Sequence, residues 1–165
     1  MPGWEALVRE HAPAVFRTAW RIVRVSQDAE DVTQEVLLEF YCDHDARPPG
    51  PCGGLLVRMA VLRAIDYLRR RRHTVPMDGL TLADPGGGPE AEAIGSELVE
   101  RLHAGIARLP AREAEVFCFR YFHDLSYEDI AEALNVSRDA VAVALHKARA
   151  KLRAYLGQSV SGGCP

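Results

Sequence analysis

Apolar residues recur along the chain at three- and four-residue intervals, and no stretch alternates as a half-buried strand would, so the pattern predicts an all-α protein. Leu7, Val8, Val15, Phe16, Ala19, Ile22 and Val23 trace a first helix, with Pro13 expected to bend or break it. Ser26 reads as the N-cap of a second helix. Asp28, Glu30 and Asp31 then fall in its first turns, where the helix dipole favours negative charge, and Ala29, Val32, Val36 and Phe40 form its inward stripe. Asp43–Gly54 is rich in Pro and Gly and reads as a loop. A third helix is predicted from Leu55 to His73, ending on the run Arg69, Arg70, Arg71 and Arg72.

Thr74–Gly95, centred on Asp84-Pro85-Gly86-Gly87-Gly88-Pro89, breaks the periodicity and predicts a linker. Beyond it the pattern resumes over Glu97–Arg108. Pro110 suits the first position of a helix reaching about Tyr121. Ser126 and Asp129 have the spacing of a capping box and open a short helix carrying Ile130, Ala131 and Leu134 inward. Asn135-Val136 predicts the turn, since Asn tolerates a left-handed conformation. Ser137 then caps a last helix with Val141, Leu145, Ala148 and Leu152 on its inner stripe. The expected organisation is two small helical domains, 1–74 and 97–157, joined by an acidic Pro/Gly-rich linker over 75–96 and followed by a disordered tail over 158–165.

Composition changes this picture little. The 165 residues are 48% apolar and 26% charged, with a net charge of −3, which is ordinary globular usage and no global sign of a nucleic-acid partner. Local charge says more: acidic residues crowd Asp28–Glu39 and Asp78–Glu100, whereas Arg69–Arg72 and Arg138–Arg153 are basic. No apolar run approaches the ~20 residues of a membrane span, and the N-terminus lacks a secretion signal, so a cytoplasmic protein without membrane insertion is expected. Cys42, Cys52, Cys118 and Cys164 form no CxxC pair and are expected as free thiols. Cys42-Asp43-His44 with Cys52 fits no common zinc spacing, and neither metal nor cofactor is expected.

Ser126–Leu152 carries the most chemistry. A short capped helix, a tight turn and a second capped helix make a helix-turn-helix, whose second helix fits the major groove of duplex DNA. Ser137, Arg138, Ala142, Val143, His146, Lys147 and Arg149 are the candidate DNA-binding residues, with basic groups for phosphates and early outward positions for base edges. A plain helical hairpin with a solvated basic face is the alternative for this segment alone.

With its flanks, Ile106–Leu156 resembles the C-terminal promoter-binding domain of extracytoplasmic-function (ECF) sigma factors. The resemblance rests on Leu109-Pro110, Arg120-Tyr121-Phe122, Leu125-Ser126-Tyr127, Glu128-Asp129-Ile130-Ala131, Leu134, Val141, Leu145 and Ala148-Arg149. It implies docking on the −35 promoter element. In the N-terminal block, Asp28–Val36 resembles the family's polymerase-binding helix. Asp28, Asp31, Gln34 and Glu35 are the candidate contacts, the last three offering a polar face opposite Val32 and Val36. Ala64–Arg72 resembles the basic end of the family's −10-binding helix. Four consecutive arginines cannot share one helix face, so some grip phosphate and others solvate the end. The implied partners are bacterial RNA polymerase core, promoter DNA and, as a further possibility, an anti-sigma factor.

The chain departs from the family where aromatics usually open the third helix, here Cys52 and Leu55, and where an Asn is usual, here Leu62. Its recognition helix carries Ala140, Ala142, Val143 and Ala144, which can touch a thymine methyl but cannot form bidentate hydrogen bonds with G or A. Weak, shape- and methyl-dependent reading of the −35 site is expected, with phosphate contacts from Arg138, Lys147 and Arg149 supplying most of the affinity. Tyr121, Phe119, Phe122 and Cys118 are expected in the core, and the six histidines at surface or half-buried positions. No Gly-rich phosphate loop, HExxH or GxSxG is present, and no enzyme is expected. Beside the sigma reading stand a polymerase-independent helix-turn-helix regulator and a degenerate sigma-like interaction module. The acidic linker admits two readings, a segment laid in a basic channel of polymerase or a flexible tether.

Overall fold

In a computed structural model, residues 3–43, 51–74 and 89–161 are described, and their regular structure is entirely helical. The helices are α1 (Trp4–Val23), α2 (Ser26–Cys42), α3 (Gly53–Thr74), α4 (Pro89–Arg108), α5 (Ala111–Phe122), α6 (Tyr127–Leu134) and α7 (Arg138–Ser161). Linker residues 75–88 lie outside the described residues, as do both readings of that segment, His44 and Cys164.

The first three helices form a bundle in which α1 packs on both α2 and α3. Val15, Ala19 and Ile22 of α1 meet Val32 and Val36 of α2 and Leu56, Val61 and Ala64 of α3 in its fully buried centre. Each such aliphatic side chain contributes roughly 1.5–3 kcal/mol by leaving water. Contrary to expectation, α1 runs unbroken through Pro13. The proline sits on the exposed face, where the carbonyl left without a partner can turn to solvent. Ser26 is not a cap either. Arg24 ends α1 in a left-handed conformation (φ 60°), and the two-residue connection puts extended Val25 at the N-cap position, with Ser26 already in the helix. Thr18 and Thr33 are buried within this bundle because each hydroxyl donates to the carbonyl four residues back, at 2.8 and 2.6 Å.

The C-terminal helices α5, α6 and α7 enclose a second centre of Val116, Phe119, Ile130, Val141 and Leu145. Helix α4 lies against α7 here, and Gly105 makes that approach possible: a Cβ on it would stand 2.8 Å from Leu152 Cδ2 and 3.1 Å from Tyr155 Cδ1. Helix α4 begins at Pro89, within the stretch read as linker, because Pro at a first helical position followed by Glu90-Ala91-Glu92-Ala93 favours a helix start. Helix α7 likewise continues to Ser161, into the stretch read as tail. Both helix-packing centres belong to one continuous core, since α4 and α5 also pack on α3, and α5 on α1.

Candidate nucleic-acid and protein interfaces

The turn between α6 and α7 is built as its sequence requires. Ser126 accepts from the Asp129 backbone N–H at 3.1 Å and Asp129 accepts from the Ser126 backbone N–H at 3.4 Å, closing the capping box. Asn135 adopts the left-handed conformation (φ 53°) that ends α6. Ser137 accepts from the Ala140 backbone N–H at 3.1 Å and caps α7. That role occupies a hydroxyl also considered for DNA.

On α7, Val141, Leu145, Ala148 and Leu152 are buried, which turns Arg138, Val143, His146 and Lys147 outward to solvent. Val143, 53% exposed, is a large apolar side chain kept in water beside cations. Ala142 and Arg149 are half-buried at the edges of this face. Ala144 is buried and belongs to the core, so it takes no part in reading DNA.

The basic groups are not equally available. The Arg138 Nε donates to Glu128 Oε1 at 2.6 Å, and its guanidinium lies over the Tyr127 ring at 5.4 Å. The backbone N–H of Glu128 itself and then Arg138 hold the Glu128 carboxyl below its ordinary range. Arg149 donates to the Tyr121 hydroxyl, which raises the guanidinium's pKa further. Lys151, behind the recognition face, is bound to Glu113 of α5 at 2.9 Å. Tyr121 was expected in the core but is 48% exposed. It stacks on Phe117 at 4.6 Å and so carries Arg149 at the surface. Phe119 and Cys118 are buried as expected, and burial pushes the Cys118 thiol's pKa up. Sequence reasoning missed Tyr121 and Tyr127 as supports for arginines, because an aromatic on a helix reads first as core.

In the N-terminal bundle, Asp31, Gln34 and Glu35 stand exposed on α2, opposite buried Val32 and Val36. Asp28 is half-buried and hydrogen-bonds Tyr67. Burial first, and that bond second, push the phenol up to about 12. The α3 arginines diverge as their spacing requires. Arg70 lies 3.6 Å from Glu35 of α2, whereas Arg69 donates to the Leu109 carbonyl at 2.9 Å. Arg71 is half-buried, and the side chain of Arg72 lies outside the described residues. At the other end of α3, Cys52 is half-buried with its sulfur 3.3 Å from His11 Nε2, and Leu55 is exposed. Among the described residues, no helix is long and apolar enough to cross a membrane. His103, expected at a surface or half-buried position, is buried.

An exposed basic second helix in a capped helix-turn-helix, beside a three-helix bundle with an acidic face, defines the class of a helix-turn-helix transcription factor. The model of sigma-70 region 2 matches residues 7–74, and that of sigma-70 region 4 matches residues 99–152. The chain belongs to the sigma-70 family, in its extracytoplasmic-function branch.

It is similar to the ECF RNA polymerase sigma factor SigE of Mycolicibacterium smegmatis, with 34% identity over 98% of this chain and 64% of that protein. The chain thus spans a little under two thirds of that relative's length. It is also similar to the RNA polymerase sigma factor SigV of Bacillus subtilis, at 27% identity over 90% of this chain and 88% of that one. Among solved structures, the sigma factor RpoE in complex with the anti-sigma factor NepR from Bartonella quintana shares the fold. Its TM-score is 0.55 at 17% identity, covering 95% of this chain and 98% of that one.

Proposed function

We propose that this chain is a promoter-specificity subunit that joins bacterial RNA polymerase core and directs where transcription starts. The observation that carries the reading is the division of α7 into a buried stripe and a solvent-facing row of Arg138, Val143, His146 and Lys147, the arrangement a groove-entering helix needs. Helix α2 offers Asp31, Gln34 and Glu35 to a basic surface of the polymerase, with Asp28 supporting the helix from beneath. Helix α7 enters the major groove of the −35 element. Lys147, Arg138 and Arg149 hold phosphates there, and Val143 with Ala142 meets thymine methyls. Arg69–Arg72 approach the phosphates near the −10 element.

The polymerase performs the chemistry and this chain is no enzyme. It works in the cytoplasm, where polymerase and promoter meet. An anti-sigma protein is a fitting further partner, as one is for the RpoE neighbour. Core polymerase reconstituted with this chain tests the reading: transcripts from a genomic library should begin at a recurrent promoter sequence. Start sites identical to those of core polymerase alone would overturn it.

A further inference from the structure

A charged pair crosses the turn between α6 and α7. Glu128 stands in the first turn of α6, and Arg138 is the first residue of α7. The Arg138 Nε donates to Glu128 Oε1 at 2.6 Å, and both side chains are exposed. The Arg138 guanidinium also lies 5.4 Å from the centre of the Tyr127 ring, so an aromatic and a carboxylate hold it together. Arg120 lies over the same ring at 5.7 Å and donates to the Leu125 carbonyl at 3.0 Å. An exposed ion pair adds little to stability, and α6 already has its cap in Ser126, so the fold does not depend on Glu128. Its effect is on the recognition face, where it engages a cation and sets a negative charge in the path of approaching phosphates.

We propose that Glu128 is a specificity-determining residue: its carboxylate occupies Arg138 as a phosphate would, and yields it only to DNA on which α7 seats closely. The inference rests on reading α7 as the helix that enters the groove. Carboxylate and phosphate are alike as charged acceptors for a guanidinium, so at hydrogen-bond distance one replaces the other nearly evenly. Farther out, water and salt weaken the pull of the phosphate while the Glu128 bond stays intact. Loose contact with arbitrary DNA therefore leaves Arg138 with Glu128. Close seating, which needs fitting bases against Val143 and Ala142, brings a phosphate near enough to take the guanidinium over. A phosphate contact that is ordinarily blind to sequence thus becomes conditional on the bases. It adds discrimination by weakening the wrong complexes, which a helix carrying Ala140, Ala142 and Val143 cannot obtain from bidentate base contacts. Arg149 differs, since its partner is the neutral Tyr121 hydroxyl, over which a charged phosphate prevails on any sequence.

The test compares wild type, Glu128→Gln and Glu132→Gln, as full chain and as holoenzyme, on a scrambled duplex and on the preferred promoter over several salt concentrations. Glu132 is exposed on α6 as well, so its substitution removes the same charge elsewhere on the helix. Glu128→Gln should tighten binding to the scrambled duplex about threefold and steepen the slope of log affinity against log salt by about 0.9, the mark of one added phosphate contact. Affinity for the preferred promoter should rise less, so discrimination falls. Glu132→Gln should leave the slope unchanged. In an Arg138→Ala background, Glu128→Gln should no longer alter the slope. Should Glu128→Gln fail to fold, Glu128→Ala should give the same signs.

Equal changes from Glu128→Gln and Glu132→Gln, or an effect of Glu128→Gln that persists without Arg138, would reduce Glu128 to net charge and overturn the proposal. An equal gain on preferred and scrambled DNA also overturns it, even while start-site mapping upholds the promoter reading. Start sites identical to those of core polymerase alone would instead count against the proposed function, and the scrambled duplex would still decide whether Glu128 withholds Arg138.

Discussion

The guanidinium of Arg70 lies 3.6 Å from the carboxylate of Glu35, joining a side chain of the candidate DNA surface to one of the candidate polymerase surface. Both are substantially exposed, at 61% and 48%, so the pair adds little to stability, of order 0–1 kcal/mol. Its consequence is positional: it draws Arg70 toward α2, so the candidate polymerase and DNA surfaces adjoin. Glu35→Gln should leave the thermal midpoint nearly unchanged and weaken polymerase association. A midpoint lowered by many degrees would show that the pair supports the bundle.

Asp28 and Asp31 lie three residues apart on α2 but play different parts. Asp28 hydrogen-bonds Tyr67 of α3, while Asp31 stands exposed. Asp28→Asn should therefore cost about 1 kcal/mol of stability, the usual value of one such bond. Asp31→Lys should leave denaturant unfolding nearly unchanged and abolish capture of core polymerase. The same loss of capture from both, with no stability change from Asp28→Asn, would refute this division.

On the recognition helix, Lys147 is an exposed cation and Val143 an exposed apolar contact. Lys147→Ala should weaken binding to all duplexes alike and reduce the slope of log affinity against log salt by about one. Val143→Ala should instead narrow the gap between the preferred and a scrambled −35 sequence. Titrations of both duplexes at several salt concentrations, made with holoenzyme, read the two effects. Equal losses on specific and scrambled DNA from Val143→Ala would rule out methyl reading.

The capping box at Ser126 fixes the entry to α6 and hence the seat of the recognition helix. Ser126→Ala removes the acceptor of the Asp129 N–H and should destabilise the chain by about 1 kcal/mol. Urea unfolding measures that loss, and Ser126→Thr should recover most of it. An unchanged midpoint for Ser126→Ala would mean that packing alone holds the turn.

The helix-turn-helix was legible because each of its determinants is local. Ser126, Asn135 and Ser137 act within three or four residues of themselves, and the α7 stripe follows helical period. The α1–α3 bundle was legible for the same reason. What stayed hidden depends on residues far apart in the chain. Arg58 meets Glu115 and Arg21 meets Phe122 across 57 and 101 positions, through contacts that leave no periodic trace. The small residue at Gly105 makes sense only once α7 lies against it, and Tyr121 reads as core until Phe117 and Arg149 flank it. Pro13 and Ser26 misled because a strong local signal yielded to the tertiary course of α1 and its two-residue exit.

His103 is a source of acid sensitivity. Burial first, and then Arg71 and Arg24 across the domain seam, lower its pKa from the ordinary 6.5 to about 4. His123 is shifted the same way by burial and by Arg21, and its Nε2 is buried without a hydrogen-bond partner. Above pH 6.5 both the folded and unfolded chains hold His103 neutral, and stability is full. As pH falls below 6.5 the unfolded chain takes up its proton first, so stability declines toward pH 4. For His103 alone the loss at pH 5 is about 2 kcal/mol. Urea midpoints of the wild type should therefore fall between pH 7.5 and pH 5 by more than those of His103→Gln measured at the same two values. Equal pH slopes for the wild type and His103→Gln would show that His103 is not the group whose protonation the fold resists.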